Sequence, residues 1–169
     1  VVVAAAGNTA TEVASPACAS GAVAVGDVSK GGILAAYSGR GRALDLVAPG
    51  TSIYSTQRFG GYGTSSGTSM ATPHVAATAA LILEANPHLS PANVSTILYS
   101  TANDLGPAGW DQAYGWGMVN ASAAVNLAIS PSYDTTPPRI SNVTAAPTKS
   151  ESVLNSWSTD EPATSQVEY

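Results

Sequence analysis

Apolar positions along the chain fall into short unbroken runs in the first fifty residues and into longer Ala-rich stretches after them. Val1-Val2-Val3-Ala4-Ala5-Ala6 is apolar at every position and ends at Gly7-Asn8. A run without alternation reads as a strand covered on both faces, as in a parallel sheet. Asn8 then sits at the strand's C-terminal end, the edge of an open α/β sheet where sites are built. Val23 to Val28, after the turn-like Ser15-Pro16, predicts a second strand, and Leu44 to Val47, stopped by Pro49-Gly50, predicts a third. Phe59 to Gly67 is Gly/Ser/Tyr-rich and reads as loop.

At Thr68 the pattern changes to an apolar segment reaching Ala85, with no Gly and one early Pro. The spacing predicts a long helix. Pro73 lies in its first turns, where a missing amide donor costs least, and Asn86-Pro87 ends it. Because the segment is apolar nearly all round, a buried central helix is expected. A second helix is predicted from the cap Ser90, with Pro91 in the first turn, to about Ala102, and a third over Ala121 to Ala128. A Gly/Trp-rich loop, Gly106 to Gly117, separates them.

From Ser130 the chain reads Ser-Pro-Ser-Tyr-Asp-Thr-Thr-Pro-Pro, a linker composition, and beyond it the signals are strand and turn. The expected organisation is residues 1–130 as one body, 131–138 as linker, and 139–169 as the opening strands of a second module. Ile140 to Ala145, Val153 to Ser158 and Thr164 to Tyr169 are the predicted strands. Three fall short of the seven or so of a sandwich, so an incomplete β-sandwich segment is expected. Asn155 falls between Val153 and Trp157, where an apolar residue would keep the face continuous.

Charge changes this picture by exclusion. Only 10% of the 169 residues are charged, with a net charge of -5. That acidic balance, with no Lys/Arg cluster, excludes a phosphate-reading face and disfavours an anionic membrane surface. The longest apolar stretch, Val75 to Leu83, is far shorter than the roughly 20 residues of a membrane-spanning helix. With no initiator Met and no signal-like opening, the natural beginning is expected upstream of Val1. The single cysteine, Cys18, cannot bridge internally. The sequons at Asn93, Asn120 and Asn142 matter only in a glycosylating host.

The chemistry is concentrated in Gly67-Thr68-Ser69-Met70-Ala71-Thr72-Pro73-His74-Val75-Ala76. A serine in the first turn of a long helix holds its hydroxyl at the helix mouth, where free amides and the dipole favour developing negative charge. Gly67 leaves room for a substrate carbonyl to approach the backbone. A serine before a helix can equally be a simple N-cap. The ten-residue string, however, closely resembles the nucleophile segment of the subtilisin-like serine peptidases, and by that resemblance Ser69 is the nucleophile.

A second match is Ala4-Ala5-Ala6-Gly7-Asn8, which resembles the family segment ending in the oxyanion asparagine. The resemblance gives Asn8 that role, with Thr68 as its supporter and the Ser69 amide as second donor. It also makes Ala5, Ala6 and Gly7 one wall of the primary specificity pocket, with Gly67 beside them. Leu44-Asp45-Leu46-Val47-Ala48-Pro49-Gly50-Thr51 and Gly115-Trp116-Gly117-Met118-Val119-Asn120 are further matches, extending the resemblance over residues 1 to about 128. In relatives Ser15-Pro16-Ala17 aligns with a turn holding a cis proline. Carbonyls after it, here of Ala17, Ala19 and Ala22, can join Asp45 in a weak calcium or sodium site. Ala43 stands where relatives carry a second acid, which leaves a solvated structural Asp45 as the alternative. Catalysis in the family requires no cofactor.

A serine hydroxyl needs a base, and the base a carboxylate to hold its tautomer. The chain has two histidines. His74 is one turn beyond Ser69 on the same helix, where relatives keep a structural histidine. His88 lies past the far end, about 25 Å away at about 1.5 Å per residue. Neither is placed to be the base, and the family order puts the catalytic Asp and His upstream of the oxyanion asparagine. The resemblance thus implies the C-terminal half of a secreted serine endopeptidase with polypeptide substrates, inactive without its N-terminal half. The implied fold is α/β, a partial three-layer arrangement with a parallel sheet flanked by helices. The tail, from Thr136-Pro137-Pro138 through Trp157 to Tyr169, resembles the start of a fibronectin type III-like or Ig-like module.

Two other readings compete. Gly67-Thr68-Ser69-Met70-Ala71 approximates the G-x-S-x-G elbow of an α/β-hydrolase, but that elbow follows a hydrophobic strand, and here Ala71 replaces its last glycine. A catalytically dead surface protein built on the peptidase fold is the other.

Overall fold

In a computed structural model of the chain, residues 1–130, 133, 139–149 and 152–159 are described. Two compact units are present, Val1–Asp134 and Thr135–Tyr169.

In the first unit, β1 (Val2–Ala5), β2 (Ala22–Val28) and β3 (Leu46–Pro49) form a parallel sheet in the order β1-β2-β3. Val3 pairs with Val23, and Val25 with Leu46. Alternation explains why these runs are apolar throughout. Val23, Val25, Leu46 and Ala48 face a core shared with the helices, whereas Ala4, Ala24, Val28 and Val47 face a second core shared with loop residues such as Leu34, Leu105 and Met118. Both faces of β2 and β3 are covered, as a parallel sheet requires, whereas the edge strand β1 leaves Val2 exposed.

The third strand lies two residues later than its expected start. Asp45 precedes it and accepts a hydrogen bond from the Ala24 amide through Oδ2. Pro49 is included because the pairing bond passes to the next residue: the Gly50 amide donates to Val28.

Helix α1 (Thr68–Ala85) has the expected bounds, and Ala71, Val75, Ala79 and Ile82 bury its sheet-facing stripe. It is not buried all round. Ala76, Ala77 and Ala80 are exposed, as are Leu81 (50%) and Leu83 (38%), because the sheet and the other helices cover only one side. Helix α2 (Pro91–Ser100) is capped by Ser90, whose hydroxyl accepts from the Asn93 amide, and α3 (Ala121–Ala128) is capped likewise by Asn120. Their buried Val94, Ile97, Leu98, Ala124 and Ala128 complete the helix-side core.

An antiparallel hairpin pairs β4 (Ile53–Thr56) with β5 (Tyr62–Ser65), the second strand lying within the stretch Phe59 to Gly67 expected as loop. Its turn is made by Phe59, Gly60 and Gly61, all at positive φ. These residues are mostly exposed, so neither strand carries the apolar alternation that marks a half-buried pair.

The second unit contains β6 (Ile140–Lys149) and β7 (Ser152–Thr159), paired antiparallel with register shifts at Ser141/Thr144 and Pro147/Lys149. Asn155 lies opposite Ala145. The strand expected over Thr164–Tyr169, and all of the 131–138 linker except Tyr133, lie outside the described residues.

Candidate active site

Ser69 occupies the first turn of α1 and is exposed. The helix starts from Gly67 at φ 149°, with no side chain capping it, so Ser69 is not the N-cap. Among the first amides, Met70 and Ala71 donate to the Gly67 carbonyl and Thr68 donates to Asn8. The Ser69 amide is left at the helix mouth, in the positive field of the helix end.

Asn8 follows β1 and Gly7, which turns the chain at φ 99°. Its Oδ1 accepts from the Thr68 amide and from Thr68 Oγ1, both at 3.0 Å. Thr68 Oγ1 accepts in turn from the Gly7 amide at 3.2 Å, and Thr68 is buried. Two donors on Oδ1 decide the amide's orientation, which leaves Nδ2 as the outward group. Nδ2 lies 3.2 Å from where a Cβ of Gly67 would be, so this glycine is needed for its approach as well as for its backbone angle.

Of the other residues expected beside Asn8, Ala6 is fully buried and Ala5 half-buried at the end of β1. The Ala6 amide donates to Val25, and its carbonyl accepts from Ala14.

An open cleft of about 420 Å³ is lined by Ser69, Met70, Pro73, His74 and Ala77 of α1 and by Ile53 to Thr56 of β4. The hairpin thus forms, through β4, a wall of the cleft that holds Ser69. Gly60-Gly61 between the β-prone Ile53-Tyr54 and Tyr62 was the available signal. His74 reaches the same cleft, with Nδ1 3.0 Å from the Met70 carbonyl of its own helix. His88 lies beyond the helix end, its amide donating to Asn86 Oδ1.

Asp45 is separate from this cluster. Beyond the Ala24 amide it meets Tyr99 of α2, and burial raises its carboxyl above the usual range, while those two donors oppose the shift. Tyr99 is pushed up to about 12 by burial and by the neighbouring Asp45 charge. Ala17 is buried, Ala19 exposed, and the Ala19 carbonyl accepts from Ala22. The Ser15–Pro16 peptide is cis. Among the described residues no three acids, histidines or cysteines cluster to hold a metal.

Sequence reasoning also passed over Asp27. It is fully buried near the end of β2, an acid inside an otherwise apolar strand, and that break in the pattern was the legible signal.

Fold and site together define a chain with a serine at a helix mouth, facing an asparagine at the C-terminal edge of a parallel sheet. Residues 1–117 match the subtilase family of peptidases. The chain is 46% identical over 129 residues to a subtilisin of Bacillus pumilus, and 43% identical over 125 residues to subtilisin BL of Lederbergia lenta. Each match covers 73% of this chain and 46% or 45% of the relative. A solved protease from Pseudoalteromonas arctica superposes with a TM-score of 0.69 at 40% identity, covering 76% of this chain and 42% of that one. The chain belongs to the subtilase family, and it spans less than half the length of these relatives.

Proposed function

We propose that this chain carries the nucleophile and the oxyanion donors of a secreted serine endopeptidase. The observation that carries the reading is the pinned Asn8: with Oδ1 held by two Thr68 donors, Nδ2 is left as the outward group next to Gly67, two residues before Ser69. Two preorganised donors aimed at one point stabilise the charge that develops on a carbonyl oxygen under attack.

In this mechanism Ser69 Oγ attacks the peptide carbonyl carbon and gives its proton to a histidine base. The oxygen takes the negative charge between Asn8 Nδ2 and the Ser69 amide, and the base then protonates the leaving amine. Water hydrolyses the acyl ester by the same route in reverse. The base and its carboxylate come from outside residues 1–169: in the family order both precede the oxyanion asparagine, here Asn8, while His74 follows Ser69 on the same helix and His88 lies past the helix end. The chain alone is therefore inactive. Polypeptides are the substrates, and the second unit opens a fibronectin type III-like module.

In the full-length gene product, Ser69→Ala is expected to abolish labelling by a fluorophosphonate probe. Labelling that persists would assign the nucleophile elsewhere. No cofactor enters the chemistry. A calcium or sodium ion at Asp45 with the carbonyls of Ala17, Ala19 and Ala22 would be structural, so chelation should lower the melting temperature slightly and leave Asp45→Asn unaffected; an equal drop in both would dismiss the site.

A further inference from the structure

Asp27 is the one acid or base fully buried among the described residues. A carboxylate withdrawn from water is costly unless it is hydrogen-bonded. Its Oδ2 accepts from the Tyr37 hydroxyl at 2.5 Å and its Oδ1 from Thr51 Oγ1 at 3.1 Å. The Asp27 amide donates to Ser38 Oγ at 3.0 Å. The carboxylate therefore ties two loop segments, one through each oxygen.

The two segments lead to the two halves of the site. On the Tyr37 side, the Tyr37 carbonyl accepts from the Ala10 amide, and the Gly39 amide donates to the Gly7 carbonyl, each at 2.8 Å. Segment 37–39 thus grips the chain on both sides of Asn8. On the Thr51 side, the Gly50 carbonyl accepts from the Gly67 amide at 3.0 Å, and the Ser52 amide donates to Ser66 Oγ at 2.8 Å. Segment 50–52 thus grips the loop that delivers Ser69. A Cβ at Gly50 would lie 2.6 Å from Asp27 Oδ1 and 2.7 Å from the Gly67 carbonyl, so the carboxylate and the nucleophile loop are packed against the same backbone atom.

We propose that Asp27 is a positioning residue for the oxyanion site, setting the spacing between Asn8 Nδ2 and the Ser69 amide by anchoring both segments to one buried carboxylate. This rests on the endopeptidase reading. Oxyanion donors act through their placement before charge develops, and a misplacement of about 1 Å can cost about 100-fold in rate. Asp27 touches no substrate. It works through Tyr37 and Thr51, which makes those hydroxyls part of the same device.

The test is a set of double-mutant cycles in the full-length gene product, with kcat expressed per active site titrated by a fluorophosphonate. Asp27→Asn, Tyr37→Phe and Thr51→Val are each combined with Asn8→Ala. Asp27→Asn and Tyr37→Phe are expected to lower kcat about 10- to 100-fold with KM changed less than about threefold. In the Asn8→Ala background the same substitutions should cost less than about threefold, because the donor they position is gone. Equal losses in both backgrounds would overturn the proposal, as would a change confined to melting temperature or active fraction. Should Asp27→Asn not fold, Tyr37→Phe and Thr51→Val remove one donor each and carry the same test. If Asn8→Ala itself costs nothing, or Ser69→Ala still labels, the endopeptidase reading has failed and this proposal with it. A full Asn8 effect with additive Asp27 losses overturns the positioning alone.

Discussion

The two walls beside Ser69 are built in opposite ways. On one side, Gly7 and Asn8 are joined to Thr68 by hydrogen bonds between residues some sixty positions apart, around that buried threonine. On the other, the β4–β5 hairpin exposes Tyr54, Phe59 and Tyr62, with Tyr54 and Tyr62 stacked at 5.9 Å between ring centroids and Arg58 over Phe59. The first wall is tied to the sheet and core. The second is held mainly by its own strand pairing. Groups that must stabilise charge have to be in place before the charge forms, whereas a wall that only meets side chains can yield.

The largest break in this contrast should come from Asn8→Ala. Removal of one oxyanion donor is expected to lower kcat about 100- to 1,000-fold with little change in KM. Steady-state kinetics of the full-length gene product measure it, and a loss that appears in KM alone would mean that Asn8 binds substrate without sensing the charge. Next in size is the hairpin. Tyr62→Ala removes a stacked partner worth about 0.5–1.5 kcal/mol, so thermal melts should shift downward modestly while kcat per active site holds. A drop in kcat as large as that of Asn8→Ala would erase the distinction between the walls.

The smallest expected effect is on pH dependence. Burial and the bond to Asp27 raise the Tyr37 hydroxyl above its ordinary value of 10.0. A group whose folded-state value is raised binds its proton more tightly in the native state. Its contribution is therefore complete below pH 10.0 and is lost as pH rises through the folded value. Melting temperatures in that alkaline window should fall more steeply for the wild type than for Tyr37→Phe, and parallel curves would remove Tyr37 from the titration.

Much of the fold was legible because its elements carry strong local signals. The uninterrupted apolar runs marked strands covered on both faces. Ser90 with Pro91, and Asn86 with Pro87, bounded helices through capping and missing donors. The hairpin escaped because its strands are exposed, so solvent imposes no alternation on them. The one-sided burial of α1 escaped because composition reports how apolar a face is and not what lies against it. The start of β3 was misplaced because the Asp45 side chain takes the Ala24 amide and its carbonyl takes the Trp116 amide, contacts between residues far apart in sequence.

The same division runs through the site. Ser69, Thr68 and Gly67 form one contiguous string, and Ala5, Ala6, Gly7 and Asn8 another, so their chemistry could be read from order along the chain and from the family pattern it resembles. Their mutual placement could not be read that way: it comes from a parallel sheet that ends β1 beside the mouth of α1. Asp27, Tyr37 and Thr51 have no shared motif at all. Sequence by itself determined the covered strands, the helices, the reactive strings and the family, because these depend on local periodicity and residue identity. Tertiary structure decided that Nδ2 rather than Oδ1 of Asn8 points outward and which buried carboxylate joins the two halves of the site. Both depend on hydrogen bonds between segments that only folding brings within 3 Å or so of one another.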